Sequence, residues 1–273
     1  MKYRRSGRLV DMTEYFLAHP HQSIPLTYFS EKYGAAKSSI SEDIGIMKEV
    51  FEEKQLGIVE TSAGATGGVM FIPMINEAYA ADLINELCTK LEDPARILPG
   101  GYLYMMDVIG DPMLMQKLGR VFASHYRGAK VDAVMTMATK GIPLAYAVAA
   151  QLHVPVSIVR HEQRITEGSI VSINYVSGST KRIQTMSLAR RSLKPNSNVL
   201  IIDDFMKAGG TIRGMMDLVM EFQSTVAGVG VLTEAIHEDE KLVDDYLSLT
   251  KLSKVDAKTR TIQVEKGNFF QQS

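Results

Sequence analysis

The sequence predicts an α/β protein built on a doubly wound parallel sheet and preceded by a small winged-helix domain. Three observations predict it. Strand-like and helix-like stretches alternate from Tyr102 to Val159. Val199 to Ile202 is a continuous apolar, β-branched run, as a central strand covered on both faces requires. The first ~72 residues carry a different pattern, three short helices and then a hairpin. The expected division is residues 1–74 and 75–273.

In the first part, Ser6 is placed to cap a helix whose Leu9, Met12, Phe16 and Leu17 recur at helical spacing, and His19-Pro20 ends it. Leu26, Phe29 and Tyr33 pattern a second helix, Gly34 makes the turn, and Lys37 to about Lys54 form a third with Ile40, Ile44, Met47 and Phe51 on one stripe. Ile58 to Ser62 and Val69 to Ile72 alternate like paired strands around Gly64-Ala65-Thr66-Gly67-Gly68, which completes a winged helix. Pro73 to Glu77 reads as a linker and Ala78 to Glu92 as a helix. Then follow strand Tyr102–Met106, helix Pro112–Tyr126, strand Val131–Met137, helix Ile142–Leu152 and strand Val154–Val159.

At 273 residues, with 45% hydrophobic and 22% charged residues, the chain is globular and long enough for two domains. No apolar run approaches a membrane span, and the basic start Met1 to Arg8 leads into Asp11 and Glu14, unlike a signal peptide. A cytosolic protein with no membrane partner is expected. The single cysteine, Cys88, excludes an intrachain disulfide and a zinc cluster of thiolates. His161-Glu162 is no metal motif, and dinucleotide, Walker and Ser-His-Asp patterns are absent.

A net charge of −1 gives no global sign of nucleic-acid binding, so any DNA affinity must be local. Lys2, Arg4, Arg5 and Arg8 form an acid-free basic arm, and Lys37, Ser38, Ser39 and Ser41 stand on the exposed side of the third helix. Short hydroxyl side chains at the start of a recognition helix suit phosphates and base edges, and arm and wing favour the same partner. Double-stranded DNA is the expected partner.

Residues 199–211 carry the most chemistry. Asp203 and Asp204 stand at the carboxyl end of the apolar run, where open α/β sheets bind ligands, and the loop is expected to start at this acid pair. Ionised carboxylates only accept hydrogen bonds, so two together call for hydroxyl donors or a divalent cation such as Mg²⁺. Lys207, Ala208, Gly209, Gly210 and Thr211 follow without a proline, giving free amides, with Thr211 expected to cap the helix Ile212–Phe222.

This stretch resembles the phosphoribosyl-pyrophosphate (PRPP) signature of the type I phosphoribosyltransferases, in which four apolar residues and two acids precede two variable residues, here Phe205 and Met206, and then a small-residue loop. The resemblance implies a type I phosphoribosyltransferase-like sheet in which Asp203 and Asp204 hold the ribose hydroxyls and Lys207 to Thr211 hold the 5′-phosphate. Ala208 stands where the family usually has Thr, which removes a phosphate-facing hydroxyl and keeps the amides. Ala138-Thr139-Lys140-Gly141, beyond another buried strand, suits an anion by its lysine and amides; by resemblance it holds the pyrophosphate. Arg160 to Leu193 occupies the place of the family's flap, with strand-like pieces Ser169–Val176 and Arg182–Leu188 around Ser177-Gly178-Ser179. Seven Lys or Arg against Glu162 and Glu167 over residues 160–195 give it net charge +5, and Arg160 is its first candidate ligand contact. Tyr102 and Phe205 are candidates for a stacking surface beside the ribose.

A winged helix joined to a PRPP-binding domain resembles the purine operon repressors of Gram-positive bacteria, over nearly the whole chain. That resemblance implies a cytoplasmic homodimer binding a DNA operator, with PRPP as an inducer that weakens binding and no catalytic residue. It allows Mg²⁺ alongside PRPP and guanosine tetraphosphate as a competitor. The alternative is a catalytically active purine phosphoribosyltransferase with a regulatory amino-terminal domain, since the motif serves both.

Overall fold

A computed structural model describes residues 3–62, 68–162, 165–177, 182–236 and 241–271. The chain divides into two compact units, Met1–Asn76 together with Gln151–His153, and Glu77–Ala150 together with Val154–Ser273.

The first unit contains helices α1 (Arg5–Ala18), α2 (Leu26–Tyr33) and α3 (Lys37–Glu53) and strands β1 (Gly57–Thr61) and β2 (Val69–Pro73). The strands pair antiparallel with Val59 opposite Phe71, and Ile24 adds an antiparallel bridge to Val69. The expected apolar stripes converge on one core: Met12 and Phe16 of α1, Phe29 and Tyr33 of α2, Ile40, Ile44, Met47 and Phe51 of α3, and Val59, Val69 and Phe71 of the hairpin. Gly34 ends α2 in the left-handed region at φ 59°. Two expectations fail. Ser6 does not cap α1, because the helix starts two residues earlier than such a cap requires and Arg4 stands at the N-cap with no side-chain bond. Leu17 is exposed, since it lies beyond the edge of the stripe that Met12 and Phe16 bury.

The second unit opens with α4 (Glu77–Leu91), the short paired strands β3 (Ile97–Leu98) and β4 (Tyr102–Leu103), α5 (Met106–Ile109) and α6 (Pro112–His125). There follow β5 (Ala133–Met137), α7 (Ile142–Leu152), β6 (Val156–Val159), the antiparallel hairpin β7 (Ile170–Val176) and β8 (Ile183–Ala189), β9 (Asn198–Met206) and α8 (Gly210–Glu221). Strands β10 (Thr225–Ala235), β11 (Leu247–Asp256) and β12 (Thr261–Lys266) complete it. The alternation predicts a strand over Tyr102–Met106, but β4 ends at Leu103 because its partner β3 offers only two residues.

The main sheet has the order β12-β11-β10-β9-β5-β6, parallel except for the edge strand β12. Val199 to Ile202 are fully buried at its centre. One face packs Val199 and Ile201 with Ile212, Met215, Leu218 and Val219 of α8. On the other, Phe122 of α6 meets Ile202 beside Gly230, and Gly119 lets α6 approach the backbone of Ala147 in α7. Helices α7 and α8 therefore cover opposite faces, and the chain leaves β5 toward β6 but leaves β9 toward β10. That is a topological switch point, where open α/β sheets form a crevice at the strands' carboxyl ends. No helix among the described residues is long and apolar enough to cross a membrane.

Candidate functional site

The crevice begins where one ladder stops and its neighbour goes on. Strands β5 and β9 pair only as far as Met135 and Ile201, whereas β9 and β10 stay paired to Met206 and Glu234. The loop therefore does not begin at the acid pair, as the sequence suggested; Asp203 and Asp204 belong to β9, held in strand geometry by β10. Asp203 is 6% exposed and accepts the Asp204 amide at 2.9 Å, while Asp204 faces a cleft together with Lys140.

Burial pushes both carboxyls above the ordinary range; the neighbouring Asp204 charge pushes Asp203 further, and Lys140 draws Asp204 back. Two carboxylates this far out of water are relieved by hydroxyl donors or a cation. Thr136 Oγ1, also buried, has no hydrogen-bond partner among the described residues.

The two loops meet at Gly141. A Cβ there would fall 2.3 Å from Thr136 Oγ1 and 2.6 Å from Asp203 Oδ1, so only glycine lets the turn seat against the acid. Ala138, half-buried, is joined to Thr139 by a cis peptide bond, and Thr139 and Lys140 are exposed. On the other side of the crevice, Gly209 sits at φ 81° as the N-cap of α8 and gives no side-chain cap. Thr211 is thus inside the first turn and does not cap the helix. The amides of the first turn are left for an anion, backed by the helix dipole.

A cleft of about 270 Å³ is lined by Tyr102, Ser177, Phe205, Met206, Lys207, Ala208, Gly209, Gly210, Thr211 and Ile212. A second, of about 480 Å³, is lined by Leu98, Pro99, Tyr102, Leu103, Met105, Lys140, Asp204 and Phe205. Tyr102 and Phe205 border both, the cleft beside the glycine loop and the cleft beside Lys140. Met206 and Ala208 are buried, whereas Lys207 is exposed. Two fixtures hold this geometry. Leu242 donates its amide to Ala208 O at 3.0 Å. Arg96 donates to Lys90 O, Tyr104 O and both Asp107 oxygens, which fastens the β3–β4 hairpin that presents Tyr102.

The β7–β8 hairpin is docked where the resemblance implied a flap. Tyr175, Met186 and Leu188 are part of the α8 core, and burial pushes the Tyr175 phenol up against the effect of a hydrogen bond with Thr211. Ser177 reaches the first cleft; Gly178 and Ser179 lie outside the described residues. Arg160 lines neither cleft. Its Nε donates to Glu167 at 2.8 Å and its backbone bridges Ser187.

In the first unit, Lys37, Ser38 and Ser41 are exposed and Ser39 half-buried at the start of α3, whose N-cap Ala36 leaves the first amides without a side-chain acceptor. Arg4 is exposed. Arg5 and Arg8 are not a loose arm, since both donate to the buried carboxylate of Asp43. Lys2 and the wing residues Gly64 to Gly67 lie outside the described residues. Sequence reasoning missed Asp43, although it falls one turn along from Ile40 on the buried stripe, where a charge needs a partner. It also did not assign Ser177 to the cleft, and it missed Leu98, Pro99, Leu103 and Met105, the apolar wall beside the expected Tyr102.

Comparison with known proteins agrees with this architecture. Residues 4–73 match the family of the bacterial purine repressor amino-terminal domain, and residues 107–266 the phosphoribosyl transferase domain. The chain is 58% identical to the purine biosynthesis transcriptional repressor PurR of Bacillus subtilis, covering 99% of this chain and 95% of that one. It is 49% identical to the probable purine biosynthesis transcriptional regulator PurR of Streptococcus pneumoniae, over 99% and 98%. It is 46% identical to the purine biosynthesis transcriptional activator PurR of Lactococcus lactis, over 98% of each. Among solved structures, adenine phosphoribosyltransferase of Rhodothermus marinus superposes with a TM-score of 0.50 at 20% identity, over 57% of this chain and 88% of that one, a likeness of fold alone. With the amino-terminal family matched, the second unit matched as a phosphoribosyl transferase domain and near full-length identity to PurR proteins, the chain belongs to the bacterial purine repressor family.

Proposed function

We propose that the protein is a DNA-binding transcriptional repressor of purine biosynthesis and salvage genes, and that PRPP, bound in the crevice between β5 and β9, weakens its grip on the operator. The observation that carries the ligand is the seating of Gly141 against Asp203, which joins a lysine-bearing loop, the buried Asp203 with the cleft-facing Asp204, and the uncapped amides of α8 around one crevice. Loop amides suit the 5′-phosphate, the acids suit the ribose hydroxyls, and Thr139 with Lys140 suits the pyrophosphate. Mg²⁺ would enter with the pyrophosphate beside Asp204, and guanosine tetraphosphate would compete for the same crevice. The B. subtilis relative's name supports repression, and the protein is expected to act as a cytoplasmic homodimer.

Induction requires PRPP to bind the conformation that holds DNA poorly more tightly than the one that holds it well. A coupling of about 1–3 kcal/mol between the two sites is typical. A gel shift with DNA from upstream of a purine biosynthesis gene, with and without PRPP, tests the reading. Retardation relieved by PRPP supports it; retardation indifferent to PRPP, with no heat of PRPP binding in calorimetry, overturns it.

The enzymatic reading rests on the same crevice. Ala208, buried and presenting only a methyl group, favours a sensor. Incubation with PRPP and each purine base separates the two, because a transferase yields nucleotide.

A further inference from the structure

Asp43 lies on the core stripe of α3 and is fully buried, yet it faces two cations of α1. Arg5 Nε donates to its Oδ1 at 2.9 Å; Arg8 Nε donates to Oδ2 at 3.0 Å, with Arg8 Nη2 2.8 Å from the same oxygen. A carboxylate in such a place has to be paired, and one cation suffices for its charge. Arg8, 14% exposed, is committed to that task.

Arg5 is in a different position. Its side chain is 53% exposed, only Nε is hydrogen bonded among the described residues, and Glu42 Oε2 stands 3.7 Å from Nη2, beyond hydrogen-bond reach. The plane of the guanidinium is set by Asp43 through Nε, while its terminal N–H groups make no hydrogen bond among the described residues and have only the Glu42 carboxylate as a loose ion pair. A planar fork held in this way is suited to a tetrahedral oxyanion, and fixed donors of this kind set the register of a protein on a duplex.

We propose that Asp43 is a positioning residue for DNA: through Nε it orients Arg5 so that the terminal guanidinium nitrogens clamp a backbone phosphate beside the recognition helix. The inference rests on DNA binding by the first unit. It reverses what charge alone would give, because removing an acid near DNA should tighten binding, whereas here removal loosens it.

The test is fluorescence anisotropy of the full-length protein with a labelled duplex from upstream of a purine biosynthesis gene, across a series of KCl concentrations. Asp43→Asn is expected to weaken binding about tenfold, and Arg5→Ala by as much, with the salt slope reduced by about one. The double variant should be no weaker than Arg5→Ala. Tighter binding by Asp43→Asn, or additive losses, would overturn the proposal. Should Asp43→Asn fail to fold, Arg5→Lys keeps the charge and leaves Arg8 on Asp43; binding equal to the parent with the same salt slope would overturn it too. A parent protein that binds no duplex would instead sink the DNA reading itself.

Discussion

Asp203 Oδ1 sits 2.6 Å from the point where a side chain on Gly141 would begin. The lysine loop and the acid strand are therefore in contact through a hydrogen atom's width of space. Gly141→Ala is expected to push them apart, costing about 1–3 kcal/mol of stability by overpacking. PRPP affinity should fall at least about tenfold. Thermal melting and calorimetry measure the two effects, and a variant that binds PRPP like the parent would refute the seating argument.

The acid pair makes ligand-free stability depend on pH in an unusual direction. A carboxyl raised by folding binds its proton more tightly in the native state, so stability falls as pH rises from the ordinary carboxylate range through the raised value. Each unit of elevation is worth about 1.4 kcal/mol. Asp203→Asn should accordingly raise the melting temperature at neutral pH, flatten this pH dependence and abolish PRPP binding while sparing DNA binding. A lower melting temperature would show that the acid is stabilising in the free protein.

Asp107 is the opposite case. Hydrogen bonds from Arg96 hold its carboxyl below the usual range against the effect of burial. Its contribution is present at neutral pH and is lost as pH falls below the ordinary carboxylate value toward the depressed one. Asp107→Asn should cost about 1–2 kcal/mol at pH 7, after allowance for solvent screening. The deficit should shrink in acid. Because Arg96 also holds Tyr104 O, PRPP binding should weaken with it.

Burial pushes Glu234 up, but Lys241, Tyr246 and Ser248 outweigh it and hold the carboxyl below its ordinary value. Lys241→Met strips a cation from a nearly buried acid and is expected to cost about 2–4 kcal/mol. The adjacent Leu242 amide is bonded to Ala208 O, so loosening this corner should also loosen the glycine loop. Calorimetry should read a weaker PRPP complex, and Ser248→Ala, which removes one neutral donor, a smaller loss of about 1 kcal/mol in stability.

The legible parts of the chain were those where period and chemistry coincide. The stripes of α3 and the run Val199–Ile202 announce themselves because each buries one repeating residue class. The caps were not legible: Ser6 and Thr211 are good capping types, but the helices begin at Arg5 and Gly210, where backbone geometry sets the start. Nor were β10, β11 and β12. Gly228 and Gly230 break the apolar pattern of β10 because Tyr126 and Phe122 fill the space, a fact that belongs to α6 and its following turn. The acid pair is conspicuous by its chemistry, but its place in a strand was not legible, since only the ladder to β10 shows that the strand continues through it.

The early end of the β5–β9 ladder has an implication for how such a chain drifts. Peptide groups that find no neighbouring strand stay available to a visiting anion whatever side chains hang from them. On the proposed reading, substitutions along the rim would strip away turnover well before they erased the capacity to hold a phosphorylated sugar.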